Sequence, residues 1–468
     1  MNARTRALGI AALVASTALA PSAGAVGRTL EVGPGFAHAT IGAALAEAQP
    51  GDTIRVAAGT YVERIRILRR VTLIGEGWPV VDGGGAGHVV EALAPFEMRG
   101  FVLRGSGSDL EAEHAGVMVR GAPARVIGNR MEDVLYGVYL KQSPGSLVAG
   151  NRIRGKPFNL ARRGDGIRLW YSPDTHVTGN EVRGVRDVVA YFSDRIALDD
   201  NVVRESRYGF HLMYCSHSRL TGNRLSGNQV GAYLMYSSRF TLIGNVFADA
   251  AGSSGMGLGL KDGDEIVVEE NLFLENSVGV HLDNSPSGPA RPNRFEGNTF
   301  ALNGVAVRML PSVTGNRFHH NDFLANGAPA RVAGGARAGQ VAQNDWTGNH
   351  WSEHAGFDRD GDGKGDAPYV HAHLADDLLE RRPELRIFAF APALEALDGL
   401  VRFFPLLRPE PVVVDPEPRL AIAAARRWRE EWRGARTADA RAPLGWGLGA
   451  AASLVALAAG ARRRERGP

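Results

Sequence analysis

Gly209-Phe-His-Leu-Met-Tyr is followed 22 positions later by Gly231-Ala-Tyr-Leu-Met-Tyr. Side chains alternate between the two faces of a strand, so His211 shares a face with Met213, and Met235 takes the equivalent place in the next copy. One imidazole and two thioethers held together make a soft-ligand set that suits Cu(I). Two other uses compete for these residues. Met and aromatic side chains also form adaptable patches that grip a partner protein, and an exposed groove on a repeat protein can hold a sugar chain. Sugar cleavage calls for paired carboxylates, or a carboxylate with a Lys or Arg base. This stretch offers Asp283, with Lys261, Asp262 and Asp264 nearby, but no acid and base at its methionine centre. Thioethers cannot carry protons, so the residues argue against an enzyme.

A second constellation is Asp358-Arg-Asp360-Gly-Asp362-Gly-Lys364-Gly-Asp366. Carboxylates at positions 1, 3, 5 and 9 with Gly at 6 follow the order of a calcium loop, in which Lys364 would contribute only its backbone carbonyl. Tyr369 stands where such a loop carries a bidentate Glu. A structural calcium ion closing one end of the fold is expected there.

These groups need elements to hold them, and the elements repeat. Asn follows Gly or an acidic residue at positions 129, 151, 180, 201, 223, 245, 271 and 298, at intervals of 22, 29, 21, 22, 22, 26 and 27. Units this short cannot bury an apolar face alone and must stack on their neighbours. With short alternating strands, Gly-Asn turns and no helices between them, the expected fold is all-β, a right-handed parallel β-helix whose coils rise about 4.8 Å each. Recurrent Asn side chains can then bond to one another and to backbone groups up the stack. A capping helix over residues 39–48 and a C-terminal helical tail complete it.

Within each unit the residues one and three places after the leading residue are apolar, from Val138 and Leu140 to Val280 and Leu282. The intervening positions must face outward: Tyr139, Lys141, Arg168, Trp170, Val189, Tyr191, His211, Met213, Tyr233, Met235, Gly259, Lys261, His281 and Asp283. His211, Met213 and Met235 are the candidate copper ligands. Tyr139, Lys141, Trp170, Tyr191, Tyr233, Lys261, His281 and Asp283 are the candidate docking stripe.

The chain has 468 residues, 59 of them Gly, and Lys+Arg 53 against Asp+Glu 50. So balanced a charge argues against a nucleic-acid binder, which needs a strong basic stripe. Cys215 is the one cysteine, so no internal disulfide framework exists. Residues 1–25 read as an export signal, with Arg4 and Arg6 before an apolar run and Ala23-Gly24-Ala25 as the cleavage site. Residues 444–461 are uncharged and precede an arginine cluster. That is just long enough to anchor an exported protein in the inner membrane, with a processed sorting tail as the alternative. Between them lie the cap and first coils (26–110), the repeats (111–350), the Asp-rich loop (351–370) and a helical tail and linker (371–440).

Taken together, Gly209-Phe-His-Leu-Met-Tyr with Ala232-Tyr-Leu-Met-Tyr, Asn349-His-Trp-Ser with the Asp-rich loop, and Phe-Phe-Pro405 before Asp415-Pro resemble the NosD family of nitrous oxide reductase maturation proteins. The likeness runs from Thr29 to Leu420; the hydrophobic segment at 444–461 departs from a simple soluble periplasmic member. The resemblance implies a periplasmic protein that helps build the copper centres of the reductase. It implies partnership with an ABC transporter permease and ATPase complex and with a copper chaperone lipoprotein, with membrane association through the transporter or the C-terminal segment. The other reading of a β-helix, a polysaccharide-binding or polysaccharide-modifying protein, stays open beside it.

Overall fold

The computed structural model describes residues 27–423, apart from 289, 336–343, 389–390 and 405–408. The export signal, the hydrophobic segment 444–461 and the linker beyond residue 423 lie outside the described residues. Three parallel sheets of 14, 13 and 12 strands run the length of a β-helix. Each coil gives one strand to each sheet. Tyr208–Met213, Ser216–Thr221 and Arg224–Ser226 make one coil, and Val230–Met235 begins the next.

The apolar places alternate as the strand period demands. Phe210, Leu212, Ala232, Leu234, Leu258 and Leu260 are all fully buried. Toward the C-terminal end the core fills with rings instead of aliphatics. Phe247, Phe273, Phe300, Phe323, Trp351 and Tyr369 form one stack, with centroids 4.3–5.0 Å apart. Like residues at like positions therefore pack face to face up the axis, adding to their area burial.

Turns are held by a buried amide ladder. The Asn201 backbone N–H and Nδ2 both donate to Asn223 Oδ1, at 2.9 and 3.0 Å, and Asn223 repeats this to Asn245. The same pattern runs from Asn129 to Asn349, and shorter asparagine columns include Asn276–Asn303–Asn326 and Asn293–Asn316–Asn344. Residues just before the ladder adopt left-handed backbone, as at Gly222 (φ 65), Asp200 (φ 55) and His320 (φ 55), and Gly, which adopts it without strain, precedes most of the asparagines. Gly231 has a different reason: a Cβ there would lie 2.3 Å from the Gly257 carbonyl oxygen on the next coil.

Both ends are covered. Helix α1 (Ile41–Glu47) caps the first coils; Thr40 Oγ1 accepts from Ala43 N–H, and the Glu63 carboxylate accepts from Ile41 and Gly42. At the other end Tyr369–His371 pairs antiparallel with Val413–Asp415, bracketing α2 (Leu374–Arg381) and α3 (Pro392–Phe403). Buried Asp415 terminates the long ladder, accepting from the backbone of Gly348 and Asn349, from Asn349 Nδ2 and from Trp351 Nε1. Among the described residues no helix is long and apolar enough to cross a membrane.

A methionine and aromatic face on the twelve-stranded sheet

The outer face of the 12-stranded sheet carries the expected stripe as two columns. One runs Lys141, Trp170, Tyr191, Met213, Met235, Lys261, Asp283; the other runs Tyr139, Arg168, Val189, His211, Tyr233, Gly259, His281. Met213 and Met235 are direct register partners. Lys261 pairs with Asp283 at 3.6 Å, and Lys141 with Glu113 at 3.7 Å.

Outward is not the same as wet. His211 is only 8% exposed, Val189 2% and Tyr139 1%, and Gly259 is buried too, so the expectation that every outer position meets solvent fails at these four. Tyr139 belongs to an apolar cluster against which Leu110 and Phe158, from segments between strands, and Trp170, from the next strand, are packed, and its hydroxyl donates to Glu113 Oε1. His211 is walled by the rings of Tyr191 and Tyr208, with centroids at 5.3 and 4.7 Å. Its Nδ1 is 3.1 Å from the Tyr191 hydroxyl and 3.7 Å from Asp187 Oδ2. The remaining stripe residues, Lys141, Trp170, Tyr191, Met213, Tyr233, Met235, Lys261, His281 and Asp283, are half-buried.

Beneath this face is a charged cluster that alternation did not single out. Asp187, 1% exposed, is bonded by the Arg207 guanidinium and accepts from the Tyr208 backbone N–H. Burial pushes its carboxyl up, but His211 and Arg207 outweigh that and hold it below the usual range. Asp165 has no such cradle: burial first, then the neighbouring Asp187 charge, push it up to about 7, against the pull of Arg168, Arg186 and Arg207. Burial likewise pushes the Tyr191 and Tyr233 hydroxyls up to about 12. Neither carboxylate falls on the alternating outer positions: Asp165 lies two residues before the strand Ile167–Trp170, and Asp187 opens the strand Asp187–Tyr191. The nearest sequence signal was that Asp187 replaces the leading glycine of its unit.

One place beyond the methionine column stands a second ladder. Tyr171, Phe192, Tyr214 and Tyr236 are 36–48% exposed and stack ring on ring at 4.8, 5.0 and 5.0 Å. All four have left-handed backbone, with φ between 47 and 53, as do Gln142, Asp262 and Asn284 at the same turn on flanking coils. The turn requires that conformation, which Gly, Asn and Asp adopt most cheaply. Four bulky rings in succession are the unusual choice. The signal was legible: each follows a stripe residue directly.

Cys215 occupies a place in a column built mostly from serines, among them Ser172, Ser193 and Ser237. Its backbone N–H donates to Ser237 Oγ and its thiol to the Met213 carbonyl, and burial pushes the thiol up to about 12. A thiol so held is a packing group, not a metal ligand. In the Asp-rich loop, one oxygen from each of Asp358, Asp360 and Asp362 lies within 4.8 Å of the others. Asp358 accepts from Gly361 and Gly363, Asp366 from the Arg359 backbone, and the Lys364 ammonium pairs with Glu417. A further set, His371, His373 and Asp376, was missed although two imidazoles and a carboxylate fall within six residues.

The fold and this face define a β-helix protein whose outer wall presents soft donors beside stacked aromatic rings. Residues 149–356 match the family described as "Periplasmic copper-binding protein (NosD)". The chain is 30% identical over 457 residues to a "Probable ABC transporter binding protein NosD" of Pseudomonas aeruginosa, covering 84% of this chain and 96% of the relative. A protein of the same description from Stutzerimonas stutzeri is 28% identical over 407 residues, covering 79% and 86%. This chain belongs to the NosD family. Among solved structures it is similar to the A-module of the Azotobacter vinelandii mannuronan C-5 epimerase AlgE6, at 14% identity and TM-score 0.50, covering 66% of this chain and 92% of that one. It is similar to the same degree to the catalytic unit of a GH87 alpha-1,3-glucanase from Streptomyces thermodiastaticus, at 14% identity and TM-score 0.50, covering 66% and 65%. At these identities the likeness is one of fold.

Proposed function

We propose that this chain is a periplasmic scaffold that holds Cu(I) transiently at His211, Met213 and Met235. On this reading it docks to an ABC transporter complex while the copper centres of nitrous oxide reductase are assembled. The observation that carries the reading is the register: Met213 pairs with Met235 on the next coil, and His211 stands two residues before Met213 on the same face. Tyr191 engages Nδ1 of His211 and Asp187 lies close behind. That leaves Nε2 for a metal, as where a carboxylate orients a ligating imidazole. Thioether and imidazole donors favour Cu(I) over hard cations.

The exposed rings of Tyr171, Phe192, Tyr214 and Tyr236 give the docking surface its apolar contact beside the cargo. Their stacked faces cover one another, so they offer edges to a protein partner more readily than faces to a sugar. The permease and ATPase complex is the proposed partner there, with a copper chaperone lipoprotein and the reductase as donor and acceptor. The relatives' printed description supports the first of these.

Cu(I) titration of the exported chain against the Met213→Ala, Met235→Ala double variant tests the site. The double variant should bind at least a hundredfold more weakly, and equal affinities would retire the site. A second reading draws on Asp165 and Asp187 beside His211 and Tyr191, groups that can move protons. Turnover of oligouronides that vanishes in Asp187→Asn, with unchanged Cu(I) binding in the methionine variant, would establish polysaccharide chemistry instead.

A further inference from the structure

Where the last strand runs into the helical tail, His371-Ala-His373-Leu-Ala-Asp376 gathers two imidazoles and a carboxylate. His371 ends the strand Tyr369–His371, His373 is the residue before α2, and Asp376 lies in the first turn of that helix. One ligand atom from each lies within 4.8 Å of the others. The two imidazole rings are 4.5 Å apart, and His371 Nε2 is 3.2 Å from Asp376 Oδ2. A tetrahedron with N and O arms of about 2.0 Å has edges of roughly 3.3 Å, so this spacing fits two ligands of one ion.

A second observation is independent of that spacing. His371 is 2% exposed, yet its Nδ1 has no hydrogen-bond partner among the described residues, and Arg331 Nε and Asp377 Oδ1 are buried in the same condition. All three residues line one small cleft, which Glu410 also borders. Folded proteins leave few buried polar atoms unpaired; of these three, His371 Nδ1 and Asp377 Oδ1 have lone pairs to offer, while the Arg331 Nε–H is a donor that calls for water or another acceptor.

We propose that His371, His373 and Asp376 bind a borderline divalent cation, Zn²⁺ or Cu²⁺, fastening α2 to the end of the solenoid. The fourth position is open to water or to Glu410. Imidazole and carboxylate donors without thioethers set this site apart from the methionine face and suit Zn²⁺ or Cu²⁺ over Cu(I). Arg331 keeps its bond to the other Asp376 oxygen, orienting the carboxylate while weakening the site through like charge.

The full chain, stripped with chelator, is titrated with Zn²⁺ and in a second series with Cu²⁺, reading heat and the metal retained after gel filtration. One equivalent is expected, bound at least tenfold more weakly in His373→Ala and in His371→Ala, and unchanged in the Met213→Ala, Met235→Ala variant. His373 is exposed, so its replacement leaves the fold intact, and a thermal melt checks this. An ion whose binding ignores the His373 substitution is excluded from the site. Should both ions ignore it, should no equivalent bind, or should the methionine variant remove it, the proposal is overturned.

Discussion

Asp165 is surrounded by groups that pull its proton in opposite directions. Burial and Asp187 favour the neutral acid, while Arg168, Arg186 and Arg207 favour the anion, and the outcome is a carboxyl pushed up to about 7. In the unfolded chain an aspartate titrates near 3.9. The folded protein therefore holds a proton that the unfolded chain has released between about pH 4 and 7, and stability from this group is full below that window and lost as pH rises through it. Asp165→Asn removes the dependence. Denaturant unfolding at pH 5 and pH 8 should show the wild type losing about 3 kcal/mol relative to the variant over that interval; parallel behaviour would refute the assignment. His211 teaches the related lesson that a residue's face is written in the strand period, but its solvation is not. Alternation placed it outward correctly; Tyr191 and Tyr208, which bury it, come from a neighbouring coil and from its own strand's first residue.

At the scale of elements, the sheet turn after each stripe strand is where sequence preference and function part company. Gln142, Asp262 and Asn284 show what the turn accepts on flanking coils. Tyr171, Phe192, Tyr214 and Tyr236 accept the same left-handed backbone at a conformational cost of about 1–2 kcal/mol each. Exposed stacking returns part of that cost. Replacing Tyr214 and Tyr236 with Asn should therefore leave the melting temperature unchanged or raise it, while capture of the transporter complex falls at least tenfold in a pull-down with purified components. A variant that melts early and still docks would reverse the roles. The repeat itself was readable because the Gly-Asn beat reports a backbone need and an amide need at once. The ladder of rings was not read because attention to alternation stops at the strand's end.

For the molecule as a whole, stability is the sum of similar coils and their interfaces, with the two ends as the places where that sum is open. The Asp-rich loop sits beside the tail: the Gly365 backbone N–H donates to Pro418 and Lys364 pairs with Glu417. We propose that calcium held by Asp358, Asp360, Asp362, Lys364 and Asp366 stiffens this junction. Calcium at a hundred times its dissociation constant adds about 2.7 kcal/mol to a state that binds it alone. The melt should move up by several degrees with calcium and back with EGTA, and Asp360→Ala should abolish the response. An identical response in that variant would place the ion elsewhere. Fold class, repeat and stripe register were legible here because a solenoid writes its geometry periodically. The His371 site was not, because it occurs once, where a strand becomes a helix and no neighbouring coil repeats it.

Asp415 gives this architecture a direction in time. The donors of Gly348, Asn349 and Trp351 converge on a side chain that the ribosome adds dozens of residues later. A product cut short between Trp351 and that residue has all its coils but bares polar hydrogens and a strand edge at its foot, which exposes it to proteases and to pairing with other chains. The tail thus works as a seal that only a chain extended past Asp415 carries.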